Sequence, residues 1–311
     1  MNPTRIAAGA VGLLLLTGCA ADSSADDSDL TVAAAFYPLQ FVAERVGGDG
    51  VSVVALAQPG VEPHDLELSP SAVRSLANTD LVLYLSDFQP AVDDALTSAD
   101  VASLDAATVV ELHEAGHHHE DDDHGDERDE HEEEGDDHDH GDHDPHFWLD
   151  PTLLAQFATA VGDQFAQLDP ANAQTYTANA QQLVSDLTAL HESFAEGLAQ
   201  CERREIIVSH EAYGYLAERY DLHQEGIAGI DPDSEPSPAR LMEIRDIVEH
   251  TGATTIFTET LINPAVAEAI ASDAGVQTAV LDPVESVTGD DDYAVVMARN
   301  LEALRTALGC A

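Results

Sequence analysis

The sequence predicts an α/β protein with two lobes, each a mostly parallel sheet flanked by helices, joined by one long helix. Short apolar runs alternate with amphipathic segments in both halves of the 311-residue chain, which is the pattern of parallel strands with helical crossovers. Between the halves, residues 151–200 are rich in Ala, Gln, Leu and Thr with almost no β-branched runs, which favours helix. A histidine- and acid-rich loop interrupts the first lobe.

In the first half, apolar runs predict strands at 30–37, 51–57 and 81–84. The segments between and after them have helical spacing, and we expect helices near 39–46, 70–77 and 90–97. In the second half, strands are predicted at 205–209, 222–228, 254–258 and 276–280, with helices near 211–220, 238–250, 265–273 and 291–308. Several helices open with proline or follow an acid or serine, which suits their first turns.

The helix between the lobes is predicted to start after Asp169-Pro170 and to run near 171–200. Four apolar residues repeat along it at helical spacing: Leu183, Leu187, Leu190 and Phe194. One face therefore packs on the lobes, and some thirty residues would span about 45 Å. We expect an N-terminal lobe at 30–168, a linking helix at 169–201 and a C-terminal lobe at 202–311.

The first residues are typical of an export signal. Arg5 precedes a short apolar run at 6–16 that is too brief to span a bilayer. Small residues then precede Cys19, as in a bacterial lipobox, so 1–18 is predicted to be a lipoprotein signal peptide and Cys19 the lipidated residue. Residues 19–29 would form a flexible tether, and the protein would be extracytoplasmic, anchored to the outer face of the cell membrane. A plain secretory signal with an incidental cysteine is the alternative.

The two remaining cysteines lie at the start of the second half and at its end. In an exported chain, Cys201 and Cys310 are expected to form a disulfide that joins the start of a strand to the end of the last helix. Two free thiols are the alternative.

The formal net charge of −49 excludes nucleic-acid binding, since such a surface repels phosphate backbones. Much of the charge lies at 111–144, which holds nine histidines and eighteen acidic residues. This segment has too few apolar residues to fold and is expected to be disordered. Imidazole and carboxylate are metal ligands, so we interpret the segment as a metal collector. A solvated acidic linker would not explain so many histidines.

Three histidines outside this segment are candidate metal ligands. His64 lies in a loop after a predicted strand, His146 lies where ordered chain resumes, and His210 directly follows the strand at 205–209. Glu259 and Asp282 also follow strands, and open α/β sheets bind ligands at such strand ends. Three imidazoles and one carboxylate suit zinc. Taken singly, a histidine such as His64 or His210 is more often a loop or helix-capping residue than a ligand, and their shared place at strand ends favours the metal-binding interpretation. His191, His223 and His250 are interpreted as surface or packing residues.

Motifs in order along the chain resemble those of the zinc- and manganese-binding lipoproteins that serve ATP-driven metal importers. They are AFYP at 35–38, PHD at 63–65, PHFWLDP at 145–151, SHEAYGY at 209–215, EPSP at 235–238 and LDP at 281–283, followed by Tyr293 and Asn300. The resemblance implies that His64, His146 and His210 bind the metal with Asp282 as a fourth ligand; Glu259 and Glu62 are the alternatives. It also implies a membrane permease of an ABC importer as partner.

The same resemblance favours zinc over manganese as the cargo. The manganese-binding members often place glutamate at the third histidine position, where this chain has His210, and manganese prefers oxygen-rich sites. We therefore expect a zinc-binding protein that captures and delivers the ion without catalysis, with an affinity that falls as pH drops through roughly 6.5. A manganese-binding homologue, a surface adhesin or zinc buffer, and a zinc hydrolase are the alternatives. Against the hydrolase, the sequence contains no His-Glu-x-x-His helix.

Overall fold

The computed structural model describes residues 30–114 and 143–311. These residues form two four-stranded parallel sheets flanked by helices, as the sequence predicts. The predicted signal peptide, Cys19 and the tether lie outside the described residues, as does most of the histidine-rich segment. None of the helices within 30–114 and 143–311 combines the length and the apolarity needed to cross a membrane.

The first sheet has the strand order β2-β1-β3-β4. Its strands are β1 (Leu30–Ala34), β2 (Val51–Ala55), β3 (Leu81–Tyr84) and β4 (Ser103–Asp105). The helices are α1 (Tyr37–Gly47), α2 (Pro70–Leu76) and α3 (Pro90–Ser98), and each has proline in its first turn, where a missing N–H costs nothing. The sequence does not predict β4, because only one of its three residues is apolar.

Two helices follow. They are α4 (Pro151–Leu168) and α5 (Ala173–Gly197). Asp150 caps α4 by accepting a hydrogen bond from the backbone N–H of Thr152. Leu183, Leu187 and Phe194 are buried as the helical spacing predicts, and Leu190 is partly buried. The 25 residues of α5 correspond to about 38 Å at the usual rise, somewhat less than expected, because its first turn begins after Asn172.

The second sheet has the order β6-β5-β7-β8. Its strands are β5 (Glu205–Val208), β6 (His223–Gly226), β7 (Thr255–Thr258) and β8 (Gln277–Val280), and its helices are α6 (Gly214–Tyr220), α7 (Pro238–Thr251), α8 (Ala265–Ala274) and α9 (Tyr293–Leu308). All four predicted strands and all four predicted helices of this half are present. The sheets place the residues that follow β2, β5, β7 and β8 at one cleft, because their carboxyl ends converge there.

The predicted disulfide is present. Cys201, just before β5, is bonded to Cys310, just after α9, and 109 residues separate them in sequence. Glu202 and Arg203 also donate their backbone N–H groups to the carbonyl of Leu308. The last helix is therefore fixed to the start of the second sheet.

Candidate metal centre

Three histidines and one glutamate meet in the cleft. His64, His146, His210 and Glu285 each offer a ligand atom, and these atoms all lie within 4.8 Å of one another. Their exposed fractions are 7, 0, 0 and 3%. A cluster of this kind is rare in a protein interior, because burying ionisable groups is costly unless they are paired or bind a metal. The residues come from parts of the chain up to 221 positions apart.

The spacing of the ligand atoms fits tetrahedral zinc. Oε1 of Glu285 lies 3.2 Å from Nε2 of His64, 3.1 Å from Nε2 of His146 and 3.7 Å from Nε2 of His210. The Nε2 atoms of His146 and His210 are 3.4 Å apart. Ligands about 2.0–2.1 Å from a zinc ion would be separated by about 3.3–3.4 Å at the corners of a tetrahedron. The four atoms therefore need only small shifts to surround one ion.

His146 is oriented by the carboxylate of Asp144. Its Nδ1 lies 2.7 Å from Oδ1 of Asp144, which also accepts the backbone N–H of His146. The residues that follow form a short 3-10 helix, Phe147–Leu149, whose three side chains are fully buried. This anchor fixes the ring, and the bond at Nδ1 leaves Nε2 facing the cluster, which is how metal-binding imidazoles are usually held.

His210 is held in the same manner by Glu259. Nδ1 of His210 lies within 2.9 Å of both carboxylate oxygens of Glu259, which directly follows β7. The sequence left Glu259 as an alternative ligand, but in the structure Glu259 contacts Nδ1 of His210, on the side of the ring away from the cluster. Glu259 orients His210 and supplies negative charge, and Nε2 is left for an ion.

His64 is positioned from the first sheet by a short loop after β2. Its ring packs edge-on against Phe88 at 4.8 Å between ring centroids, and its backbone N–H donates to the carboxylate of Glu62 at 3.1 Å. Oε1 of Glu62 is 4.0 Å from Nε2 of His64, outside the cluster. Gly60 in the same loop donates its N–H to Oγ of Ser286 at 2.7 Å, which ties the loop to the segment that carries Glu285.

Asp282, the expected fourth ligand, does not join the cluster. Its Oδ2 accepts a hydrogen bond from Thr260 at 2.9 Å, and its Oδ1 accepts the backbone N–H of Val284 at 2.8 Å. The acid that faces the imidazoles is Glu285, which sequence analysis did not single out. Both acids follow the last strand, and that signal alone could not separate them. The choice depends on the turn at 282–284, which reverses the chain.

Charge balance in the cluster is set by burial and by carboxylates. Burial lowers the pKa of His64. Burial also opposes protonation of His210, but the charges of Glu259 and Glu285 outweigh it and raise the pKa of His210 to about 10. Burial would raise the pKa of Glu285, yet hydrogen bonds from the three histidines hold it well below its ordinary value. In the absence of metal, these shifts favour an ionised Glu285 beside a protonated His210.

The ends of the histidine-rich segment meet beside the cluster. Glu114 and His143 form an antiparallel bridge, and the backbone N–H of Asp144 donates to the carbonyl of His113 at 2.9 Å. A small surface pocket is lined by both His143 and His64. The segment between 114 and 143 thus starts and ends at an opening next to a candidate ligand.

Comparisons with known proteins agree with this geometry. Residues 32–307 match the family described as ZnuA, zinc-uptake complex component A, periplasmic. The zinc-binding lipoprotein AdcA of Streptococcus pneumoniae is 33% identical over 302 residues, which cover 94% of this chain and 58% of AdcA. The high-affinity zinc uptake system protein ZnuA of Bacillus subtilis is 30% identical over 309 residues, 95% of this chain and 94% of that protein.

A solved structure gives the same result. The crystal structure of Zn(II)-bound AdcA from Streptococcus pneumoniae matches with a TM-score of 0.74 at 30% identity, covering 90% of this chain and 58% of that one. The chain therefore spans little more than half the length of AdcA. The match to the family extends over nearly all of the residues that form the two sheets and the cleft. This chain belongs to the ZnuA family of zinc-uptake complex components.

Proposed function

We propose that this protein binds one zinc ion in the cleft and delivers it for uptake into the cell. The observation that carries the proposal is the buried set of three imidazoles and one carboxylate, whose ligand atoms all lie within 4.8 Å of one another and four of whose separations, 3.1–3.7 Å, are near those of tetrahedral zinc. His64, His146, His210 and Glu285 are the proposed ligands, and Glu285 replaces Asp282 in that role. Residues 30–168 and 202–311 act as the two lobes that enclose the ion, and 169–201 link them.

The donor set favours zinc over manganese and binding over catalysis. Three imidazole nitrogens suit zinc, whereas manganese prefers oxygen ligands. Zinc sites that perform hydrolysis keep one position open for water, but four protein ligands close the coordination shell. The similarity to proteins named for zinc uptake points the same way. We therefore propose a transport receptor, with the permease of an ABC importer as its partner.

The two ends of the chain segment at 111–144 support a collecting role. Its histidines and acids are zinc ligands that bind weakly when scattered along a chain, and its ends lie at the pocket beside His64. We propose that the segment gathers zinc and transfers it through this opening. We propose that residues 1–18 act as an export signal and that Cys19 carries the lipid that anchors the protein outside the cytoplasm.

Deleting residues 115–142 should separate the two zinc-binding elements. The bridge between Glu114 and His143 lets a short glycine linker close the gap without moving the cleft. The truncated protein should keep one tight zinc in isothermal titration and lose the weaker ions, and cells that depend on it should grow more slowly at scarce zinc. A matched control replaces only the histidines of this segment by serine, keeping its charge and length. Loss of the tight zinc on deletion would place the binding site in the segment and refute the proposal.

Zinc binding should release protons up to a higher pH than it would if the ligand histidines had ordinary pKa values near 6.5. His210 must lose its proton to bind zinc, and its pKa of about 10 means that it is protonated at neutral pH in the metal-free protein. Affinity should therefore keep rising, by about tenfold per pH unit for each proton displaced, instead of levelling off above 6.5. Titration at pH 7.5 in buffers of different ionisation enthalpy should show a net release of protons when zinc binds.

The same raised pKa makes the stability of the metal-free protein depend on pH in the opposite sense to zinc affinity: stability falls as pH rises. Because the folded pKa of His210 exceeds the unfolded value of about 6.5, the contribution of His210 to folding stability is complete below pH 6.5 and is lost as pH rises towards 10.

Glu259→Gln tests the proton release. The substitution removes the largest charge that raises the pKa of His210 and should reduce the number of protons released when zinc binds. Equal proton release in the wild type and this variant would contradict the assignment.

A further inference from the structure

Val284, directly before Glu285, has a backbone conformation that its side chain disfavours. Its φ is +58°, in the left-handed region where the Cβ of an L-residue crowds the backbone. For a β-branched residue this conformation is unusual, and glycine would adopt it freely. The side chain of Val284 is fully buried, so the surrounding structure must hold the residue in place. Backbone strain of this kind persists where neighbouring contacts enforce it, often at functional sites.

The carboxylate of Asp282 enforces this conformation. Its Oδ1 accepts the N–H of Val284 at 2.8 Å and thereby closes a turn within two residues. Its Oδ2 accepts the hydroxyl of Thr260 at 2.9 Å. Asp282 is itself fixed by Asn300 of α9, which accepts the backbone N–H of Asp282 at 2.9 Å and donates to its carbonyl at 2.7 Å. Both ends of the aspartate are thus tied down before the turn begins.

A further polar group of the turn is bound by a residue close in sequence to another proposed ligand. Nε1 of Trp148 donates to the carbonyl of Pro283 at 2.7 Å, and Trp148 lies two positions after His146. The ring of Pro283 fixes one more dihedral of the turn. The turn that carries Glu285 is therefore anchored to the loop after β7, to α9 and to the segment that carries His146.

The left-handed residue decides where Glu285 points. Successive side chains of an extended chain face opposite sides, so an extended Val284 would direct the next side chain elsewhere. In the observed structure, with φ of Val284 at +58°, Oε1 of Glu285 lies within 3.2 Å of Nε2 of both His64 and His146. We infer that Asp282 is a positioning residue: it never touches the ion, but it holds the turn that aims Glu285 at the three imidazoles. This inference rests on the proposed zinc site.

Asp282→Ala and Asp282→Asn test the inference as a pair. Alanine removes the acceptor for Val284, whereas the side-chain oxygen of asparagine can still accept that N–H. Zinc affinity, measured by chelator competition, should fall about 10–100-fold in Asp282→Ala, as for other partners that orient metal ligands, and should stay within about threefold of wild type in Asp282→Asn. The visible spectrum of the Co(II)-loaded protein should change in Asp282→Ala, because a misplaced Glu285 alters the coordination geometry, and should be retained in Asp282→Asn.

Two further variants keep the test decisive. Asp292→Ala is the matched control, since Asp292 likewise accepts a backbone N–H, that of Val295, but at the start of α9; it should lower thermal stability and leave affinity and spectrum unchanged. If Asp282→Ala does not fold, Thr260→Val, which removes one hydrogen bond to Asp282 at nearly constant volume, should weaken zinc binding several-fold.

The inference is overturned in two ways. Asp282→Ala could unfold earlier yet bind zinc with wild-type affinity and spectrum, which would make Asp282 purely structural. Alternatively, Asp282→Asn could lose as much affinity as Asp282→Ala, which would mean that the carboxylate acts by its charge or by direct ligation. A wild-type protein that binds no zinc tightly would instead refute the proposed function, so the two failures are distinguishable.

Discussion

His146→Ala should lower the affinity for zinc by about 10²–10³-fold. A structural zinc ion binds its peptide ligands with about 10–16 kcal/mol, so one ligand in four represents roughly 3 kcal/mol or more. His146 has the central place in the cluster, since its Nε2 lies 3.1 Å from Glu285 and 3.4 Å from Nε2 of His210. In His146→Ala, bulk water cannot readily take the place of the imidazole as a ligand, because position 146 is fully buried.

The measurement is competition with a chelator of known affinity, on protein shown to be folded by circular dichroism. His191→Ala is the control: His191 is a partly buried histidine that contacts the hydroxyl of Tyr220 at 3.2 Å, remote from the cluster. It should bind zinc like the wild type. An affinity of His146→Ala within tenfold of wild type would show that His146 is not a ligand.

Much of the fold follows from the sequence because apolar runs mark strands that are buried on both faces. Val32, Ala33 and Ala34 in β1, and Ile206, Ile207 and Val208 in β5, are all fully buried, and their strands were predicted near the observed bounds. By contrast, β4 escaped prediction, since a three-residue edge strand has too short a pattern to recognise. A long apolar run is therefore enough to predict that a strand exists, whereas a short edge strand such as β4 depends on pairing with its neighbour in the sheet.

His64 and His210 could be predicted to lie together because strand ends converge at the edge of a parallel sheet, whereas His146 follows no strand and is placed with them by the resemblance of its motif. The carboxylate could not be predicted, and the reason is conformational. Asp282 and Glu285 are three residues apart beyond β8, and which one faces the cleft depends on the left-handed Val284. A valine in that conformation contradicts its intrinsic preference, so local sequence rules predict the wrong direction. Such conflicts are expected at functional sites.

Trp148→Ala should destabilise the protein by about 3–5 kcal/mol, the usual cost of truncating a large buried aromatic side chain. Trp148 is fully buried and packs against Phe36, at 5.0 Å between ring centroids, and against His146, at 5.2 Å. Its truncation also leaves the carbonyl of Pro283 without the N–H that it accepts, and an unsatisfied buried group costs about 1–3 kcal/mol. Trp148→Phe keeps most of the apolar contact and should show only that second loss.

The free energy of unfolding should be measured by urea titration followed by circular dichroism, because Trp148 is the only tryptophan of the chain and both variants lack its fluorescence. Phe165→Ala is the matched control. Phe165 is also fully buried, but it packs against Tyr176 between α4 and α5. Phe165→Ala should lower the free energy of unfolding by a similar amount, and its folded form should bind zinc with the affinity of the wild type.

Trp148→Ala should differ from this control in its zinc affinity. Trp148 lies between two ligands: it is two positions after His146, in the short helix Phe147–Leu149, and it donates a hydrogen bond to the turn that carries Glu285. Its backbone carbonyl also accepts the hydroxyl of Tyr293 at 2.6 Å, which fixes the segment to α9. Removing the indole therefore frees both ligands at once, and zinc affinity should fall about 10–100-fold, like the loss of other groups that orient metal ligands. Equal zinc affinity in the folded forms of Trp148→Ala and Phe165→Ala would show that the indole stabilises the core without positioning the metal centre.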